Sequence, residues 1–164
     1  MRRPALKNKN NIRILVVDDD PNEMKSLVIG LKLEGFDATG AASGPDALGL
    51  LRKSSFSAVL IDLMMPEMNG LQLARAVRSD HPSTMTFLMS AYHLSPVQLA
   101  RADTGVVGFI PKPFSFEKLV DFIQQKLSPE AISGADPTVS VPTDTGLHTP
   151  IDVAKVIRES EPQP

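Results

Sequence analysis

Short apolar runs alternate along this chain with longer stretches in which apolar residues recur at helical spacing. The alternation continues from about residue 12 to residue 127 and predicts strands and helices in turn. Several of the short runs are continuously apolar, which is typical of strands that helices cover on both faces of a parallel sheet. The predicted strands are residues 13–17, 36–41, 58–61, 84–89 and 106–110.

Capping residues mark the beginnings of the predicted helices. Asp20 stands before Pro21, and proline suits the first helical position because it has no backbone N–H to satisfy. Glu23 lies three residues after Asp20 and predicts a capping box, in which its side chain accepts a hydrogen bond from the Asp20 backbone. Further helix starts are predicted after Ser43, Ser95 and Ser115.

The helix predicted between residues 90 and 109 is short, because Pro96 lies near its start and Asp-Thr-Gly at residues 103–105 lies near its end. Five strands and five helices in alternation predict a doubly wound α/β fold built on one five-stranded parallel sheet. We expect the flavodoxin-like strand order 2-1-3-4-5.

The chain divides into three predicted segments: a polar, basic arm at residues 1–11, a domain at residues 12–127, and a proline-rich tail at residues 128–164. Six of the fourteen prolines fall in the tail and no aromatic residue follows Phe122, so we expect the tail to be disordered. Within it, residues 150–159 carry a helical pattern with a capping-box-like start. Such a short helix would need a docking surface, and the alternative is a chance pattern in a linker.

Composition narrows the function classes. The formal net charge of -2 gives no general attraction to nucleic acid, so we expect no direct DNA binding. The absence of cysteine excludes disulfides and thiolate metal sites and suits a reducing cytosol. No apolar run approaches the roughly 20 residues that span a bilayer. We therefore expect a cytoplasmic protein without membrane insertion.

Polar residues follow four of the five predicted strands. Asp18 and Asp19 come after the first strand, Asp62 after the third, Ser90 after the fourth and Lys112 after the fifth. Because the carboxyl ends of parallel strands meet at one edge of the sheet, we expect these side chains to converge. Crowded carboxylates favour a bound cation, and oxygen ligands suit Mg²⁺. A hydroxyl and an ammonium group opposite the metal would bind phosphoryl oxygens, so the set predicts a phosphoryl-accepting pocket.

The segments VVDDDP, LIDLMMPEMNG, MSAY and FIPKPF resemble the signature segments of response-regulator receiver domains, in order and over residues 12–127. The resemblance implies that Asp62 accepts a phosphoryl group from a histidine kinase or a histidine phosphotransfer protein. It also implies that Mg²⁺ is held by Asp18, Asp19, Asp62 and the backbone carbonyl of Met64.

By the same resemblance, Ser90 would bond a phosphoryl oxygen and Lys112 would pair with the phosphorylated side chain. A shift at Ser90 and an inward rotation of Phe109 would form the switch, and the Lys112-Pro113 bond is one that is commonly cis in the family. Met64 and Tyr92 occupy the positions that tune the phosphoryl lifetime in receivers. Neither side chain can orient water as a small acid or amide does, so we predict slow self-dephosphorylation.

The sequence therefore predicts a stand-alone switch that signals by binding an unidentified output protein, with residues 150–159 as a candidate contact segment and no external enzymatic turnover. One alternative is a constitutive interaction scaffold with a receiver fold that is not phosphorylated in the cell. A phosphatase of the haloacid-dehalogenase type is another. That class usually carries its nucleophile after the first strand with a second acid two residues later, which Asp18, Asp19 and Asp62 fit poorly.

Overall fold

The computed structural model of this chain describes residues 9–128; residues 1–8 and 129–164, which include the predicted helix at 150–159, lie outside the described residues. A short 3₁₀ turn, Lys9–Asn11, precedes the first strand. The strands are β1 (Arg13–Val17), β2 (Asp37–Ala41), β3 (Ala58–Asp62), β4 (Met85–Ser90) and β5 (Val106–Pro111). The helices are α1 (Pro21–Leu33), α2 (Gly44–Lys53), α3 (Gly70–Asp80), α4 (Pro96–Ala102) and α5 (Phe116–Leu127).

The five strands form one parallel sheet in the order β2-β1-β3-β4-β5, which confirms the predicted doubly wound fold. The register aligns the carboxyl ends of the central strands, since Val17 pairs with both Ala41 and Ile61. Asp62 in turn pairs with Met89, so the ladder carries Asp62 and Ser90 as the last residues of their strands. This register places the predicted site residues at one edge of the sheet.

Each face of the sheet has its own apolar core. On one face, Val59 and Ile61 of β3 pack with the inner sides of α2 and α3, including Leu51 and Val77. On the other, Leu60 and its neighbours pack with buried residues of α1 and α5: Leu27, Leu31, Leu119, Val120, Phe122 and Ile123. Burying one such large side chain contributes about 1.5–3 kcal/mol, so these two layers hold the strands at fixed positions.

The helix starts follow most of the capping predictions. Asp20 accepts hydrogen bonds from the backbone N–H groups of Asn22 and Glu23, and Ser43, Ser95 and Ser115 each accept one from the third residue that follows. The capping box predicted for Glu23 is wrong. The Asp20 backbone N–H donates instead to Oδ1 of Asp18 at 2.9 Å, and the Glu23 carboxylate accepts from Lys112.

Helix α1 ends at Leu33, and Gly35 just beyond it has a φ of 93° that glycine adopts without a side-chain clash. The Phe36 N–H donates to the Leu31 carbonyl oxygen at 3.0 Å, so Phe36 belongs to the end of the helix and β2 begins at Asp37. A capping box between Asn69 and Gln72 begins α3; the sequence reading did not identify it.

Helix α4 is short, as predicted, with seven residues. Its end is held by α3, because Arg75 donates from Nε and Nη2 to the Ala102 carbonyl oxygen at 2.9 and 2.8 Å. Arg78 also contacts the Asp103 carboxylate. Asp103 has a φ of 46°, which ends the helix.

The amino-terminal edge of the sheet carries two ion pairs. Arg13 Nε lies 3.0 Å from Oδ2 of Asp37, and Lys9 Nζ lies 3.5 Å from Oε2 of Glu34. The carboxylates of both pairs are close to half exposed. In residues 9–128, none of the helices has the length and apolar character needed to cross a membrane.

Candidate functional site

Three carboxylates meet at the carboxyl edge of the sheet, at the ends of β1 and β3. Asp18 and Asp19 directly follow β1, and Asp62 is the last residue of β3. One carboxylate oxygen of each lies within 4.8 Å of the others. Asp18 is 1% and Asp62 8% exposed, whereas Asp19 faces solvent. The register of a parallel sheet thus produces the predicted convergence from residues more than forty positions apart in the chain.

The Lys112 ammonium group lies against the carboxylates. Its Nζ is 3.0 Å from Oδ1 of Asp62, 3.3 Å from Oδ2 of Asp18 and 2.6 Å from Oε2 of Glu23. The backbone fixes the position of the lysine, because its N–H donates to the Ser90 carbonyl oxygen at 2.8 Å. The following Lys112-Pro113 bond is cis, as predicted. Lys112 is therefore the cation of the described site.

Burial has the largest effect on these groups. It raises the pKa of Asp62 to about 6 from its ordinary 3.8, against the hydrogen bond and charge of Lys112. It also raises the pKa of Asp18, although the Asp20 backbone N–H and Lys112 act in the opposite direction. Burial lowers the pKa of Lys112, but hydrogen bonds to Glu23 and Asp62 outweigh this and leave it raised. The charge of Lys112 thus offsets only part of the effect of burial on the crowded carboxylates.

The acidic cluster fits a hard divalent cation. Its donors are carboxylate oxygens close enough together to face one ion, and two of the carboxylates have a pKa raised by burial. Mg²⁺ prefers oxygen ligands and often takes only one or two protein carboxylates while keeping several waters. Asp18, Asp19 and Asp62 are therefore residues that could hold Mg²⁺ and be kept ionised by it.

Residues 14–124 match the family model described as "Response regulator receiver domain". The chain belongs to this receiver domain family. The response regulator MprA of Mycobacterium sp. (strain KMS) is 35% identical over 109 residues, which cover 66% of this chain and 47% of MprA. The DNA-binding response regulator MtrA of Mycobacterium leprae is 35% identical over 153 residues, which cover 85% of this chain and 68% of MtrA. The chain spans about half the length of the MprA relatives that it matches.

Solved receiver structures share the fold. A CheY-like receiver domain protein from Methanospirillum hungatei JF-1 superposes with a TM-score of 0.68 at 26% identity, covering 75% of this chain and 98% of that one. The response regulator TrrA of Thermotoga maritima, in complex with Mg²⁺-BeF, gives a TM-score of 0.63 at 30% identity, covering 71% and 99%. The receiver fold is thus common to this chain and to these two proteins.

The remaining predicted site residues lie on β4 and β5 and in the loops that follow β3 and β4. Ser90 is 2% exposed at the end of β4, and its Oγ accepts a hydrogen bond from the Tyr92 N–H at 2.9 Å. Phe109 is buried within β5, and its ring meets that of His93 edge-to-face at 6.4 Å. Met64 lies in the loop after β3 and is 45% exposed. The roles of these residues, including the Met64 carbonyl as a metal ligand, remain predictions.

The loop after β3 holds the receiver's central carboxylate close to α3. The Gly70 N–H donates to the Leu63 carbonyl oxygen at 2.8 Å, and the Leu63 N–H donates to that of Met89 at 2.9 Å. A Cβ atom on Gly70 would lie 2.6 Å from the Asp62 carbonyl oxygen, closer than real Cβ contacts. Glycine at this position therefore allows α3 to begin directly beside Asp62.

Glu23 is the site residue that the sequence reading missed. It was interpreted as part of a helix cap, yet its carboxylate makes the shortest of the three Lys112 contacts. No local pattern could have identified it, because Glu23 and Lys112 are 89 residues apart in the chain. Beside this contact lies a cavity of about 560 Å³ between the start of α1 and the loop after β5.

Proposed function

We propose that this receiver domain is a signalling switch that accepts a phosphoryl group on Asp62 from a histidine kinase or a histidine phosphotransfer protein. One observation carries the proposal. Asp62 is a buried carboxylate whose oxygen lies 3.0 Å from the Lys112 ammonium group, with two further carboxylates within 4.8 Å. Nucleophile, cation and oxygen ligands are thus assembled at one point, as phosphoryl transfer requires.

The transfer begins with attack of an Asp62 carboxylate oxygen on the phosphorus atom of a phosphohistidine. An O–P bond forms while the N–P bond breaks, and the electron pair of the broken bond returns to the imidazole nitrogen, which takes up a proton. The product is an acyl phosphate on Asp62. Its additional charge lies within reach of Lys112, which is already positioned by its backbone hydrogen bond to Ser90.

In this proposal Asp18, Asp19, Asp62 and the backbone carbonyl of Met64 would hold Mg²⁺, and the bound ion would supply positive charge beside the phosphoryl oxygens. Asp18 is well suited to orient the site, because its Oδ1 accepts from the Asp20 N–H while Oδ2 accepts from Lys112. These two bonds fix the plane of the carboxylate. The proposed role of Asp18 is therefore to bind the metal in a preset orientation.

The proposed switch uses two residues beside the cluster. Ser90 turns its hydroxyl to donate to a phosphoryl oxygen, a movement that alters the hydrogen bond that its Oγ now accepts from the Tyr92 N–H. Phe109 couples that movement to the outer surface of β5 by an inward rotation. Its ring lies buried against His93 of the loop after β4, so a shift of that loop together with Ser90 would change the space in which the ring turns.

We further propose that the output is a protein contact in the cytoplasm, made to an unidentified partner with residues 150–159 as a candidate segment. The MtrA relative is a DNA-binding response regulator, so nucleic acid is the competing output. Binding to a labelled duplex at low and moderate salt would test this point. Retention that falls steeply with salt would contradict the proposed protein-only output.

Intact mass measured after incubation with a small-molecule phosphodonor and Mg²⁺ tests the proposed chemistry. We expect one phosphoryl adduct, which is absent from the Asp62→Ala variant and from a sample in which the metal is chelated. An adduct that survives in the variant would contradict the assignment of Asp62. A folded protein that acquires no adduct would favour the constitutive scaffold, and turnover of a small phosphate ester would favour a phosphatase.

We also propose residues 12–127 as the self-sufficient folding unit of the chain. Helix α5 ends at Leu127, and the Ser128 hydroxyl donates to the Gln124 carbonyl oxygen at 2.7 Å, which closes the helix. A chain truncated after Ser128 should unfold cooperatively and accept the phosphoryl group. Circular dichroism monitors the unfolding transition. Loss of cooperativity would mean that the tail is part of the folding unit.

A further inference from the structure

The Lys112 ammonium group already has as many acceptors as it has hydrogen atoms. A lysine ammonium has three N–H donors, and carboxylate oxygens of Glu23, Asp62 and Asp18 lie 2.6, 3.0 and 3.3 Å from Nζ. A new phosphoryl oxygen on Asp62 can gain a hydrogen bond from Lys112 only if one of these contacts is given up or weakened. One of the three carboxylates must therefore release Lys112 or hold it more weakly when Asp62 is phosphorylated.

The three carboxylates differ in how readily they can leave. The Asp18 side chain is 2% and that of Asp62 12% exposed, so neither can turn to water without disrupting the packed edge of the sheet. The Glu23 side chain is 52% exposed. It also lines the cavity of about 560 Å³ beside α1, together with Asn22, Ser26 and Phe114. Glu23 alone among the three has space and solvent into which it can move.

The backbone nevertheless places Glu23 at the lysine before any phosphorylation. Asp20 caps α1 and Pro21 occupies its first turn, which fixes Glu23 on the turn that faces Lys112. The capping bond that a glutamate at this helix position could make is absent, since the Asp20 N–H donates to Asp18. The Glu23 carboxylate is thus available for Lys112, at the shortest of the three distances.

We propose that Glu23 is a positioning residue that competes with the phosphorylated Asp62 side chain for the Lys112 ammonium group. The inference rests on the proposed function and goes beyond it, because it assigns a control on phosphoryl retention to α1. Phosphorylation exchanges the Glu23 contact for a phosphoryl contact, and Glu23 turns toward the cavity. The first turn of α1 is then released from the loop after β5.

Beryllofluoride, which mimics a phosphoryl group on aspartate, provides the test in the full chain. Tyr92 is the only tyrosine and the chain has no tryptophan, so tyrosine fluorescence reports directly on the residue bonded to Ser90. The titration is run with saturating Mg²⁺, determined separately for each variant. The variants are Glu23→Gln, which keeps the shape and removes the charge, and Glu34→Gln, which removes one charge at the far end of α1.

We expect Glu23→Gln to lower the half-saturating beryllofluoride concentration by roughly two- to five-fold, the range set by an exposed ion pair. Glu34→Gln should match the unmodified chain. The ratio of the half-saturating concentrations of the unmodified chain and Glu23→Gln should approach one as salt rises from ~0.05 to ~0.5 M, because screening weakens the Glu23 contact itself. A purely structural effect of the substitution would not vanish with salt.

The outcomes separate this inference from the proposed function. Equal half-saturation for Glu23→Gln and the unmodified chain would overturn the role of Glu23 and leave phosphorylation at Asp62 intact. An equal gain in Glu34→Gln would overturn it too, since the effect would then be one of net charge. If the unmodified, folded chain bound no beryllofluoride with Mg²⁺ present, both the proposed function and this inference would fall.

Discussion

The two edges of the sheet carry similar groups at similar distances but differ in burial. At the amino edge, Arg13 and Asp37 approach to 3.0 Å with side chains 40% and 47% exposed. At the carboxyl edge, Lys112 and Asp62 also approach to 3.0 Å, with side chains 20% and 12% exposed. The buried pair belongs to a cluster in which burial raises the pKa of Asp18 and of Asp62. Distance alone therefore does not distinguish the two pairs, whereas burial without full compensation marks the carboxyl edge as the candidate site.

The same comparison explains why the buried cluster needs a ligand. Water screens the exposed pair, so such a pair contributes about 0.2–1 kcal/mol and requires nothing further. The carboxyl edge holds its carboxylates at a cost in desolvation, which a metal ion and a phosphoryl group can offset. Four experiments at the two edges test this difference.

The largest effect is expected from removing the first-strand carboxylates. The Asp18→Asn, Asp19→Asn double variant should bind Mg²⁺ at least about ten- to hundred-fold more weakly, because ligand loss costs no less than loss of a supporting hydrogen bond. Isothermal titration with Mg²⁺ measures the change. Asp37→Asn at the amino edge serves as the matched control and should bind the metal like the unmodified chain. Equal weakening in both would mean that net charge, and not the cluster, attracts the ion.

Acidification should weaken the same site. Because burial raises the pKa of Asp62 to about 6, protons compete with Mg²⁺ as the pH falls through 6. Affinity should be constant above this pH and fall by up to about ten-fold per pH unit below it. In the metal-free chain, Asp62 changes folding stability with pH in the opposite direction to a surface acid whose ion pair lowers its pKa. The folded state binds the proton more readily, so stability declines as pH rises from 3.8 to about 6.

Measurements at several pH values would check both statements. Mg²⁺ titrations give the affinity profile, and urea unfolding of the metal-free chain gives the stability profile. The Asp62→Asn variant should show a smaller stability slope over this window, because the raised pKa of Asp18 remains. A profile with the same slope in the variant would assign the titration to another group.

A smaller effect is expected at the two lifetime positions. Replacing Met64 with Asn and Tyr92 with Glu introduces groups that can orient water toward an acyl phosphate on Asp62. The phosphoryl lifetime should shorten by roughly ten-fold, less than the contribution of a dedicated general base. Decay of the mass adduct after removal of the phosphodonor measures it. An unchanged decay rate would show that water reaches the acyl phosphate by a path that these residues do not line.

The smallest effect is expected at the amino edge. Asp37→Asn should change the free energy of unfolding by less than about 1 kcal/mol, because an exposed pair is screened by water and salt. Urea unfolding of the variant and of the unmodified chain provides the comparison. A loss well above this value would place the amino-edge pair among the structural contacts and weaken the contrast drawn between the two edges.

Local sequence patterns predicted most of the fold. The apolar runs predicted the strands to within one or two residues, and the caps at Asp20, Ser43 and Ser115 formed as expected. Capping succeeds as a guide because donor and acceptor lie within three residues of each other. The convergence of Asp18, Asp62 and Lys112 was also predictable, since strand order and parallel direction determine which ends meet.

The contacts that escaped prediction join distant elements through side chains. Glu23 fits a local capping pattern, yet its partner Lys112 lies 89 residues away in the chain. Which partner Glu23 takes depends on how the loop after β5 packs beside α1. Arg75 gives no sequence signal for its bonds to Ala102, because the crossing of α3 and α4 determines them. Such geometry depends on packing, which periodicity does not specify.

The anchoring of α4 limits the ways in which it can move. The helix has seven residues and so is about 10 Å long, with its final carbonyl held by Arg75 of α3. A rod fixed at one end rotates about that end instead of sliding. A displacement that arrived from the Ser90 side would therefore move the Pro96 end of the helix farther than the Ala102 end. The two hydrogen bonds from Arg75 would hold Ala102 as the pivot of that movement.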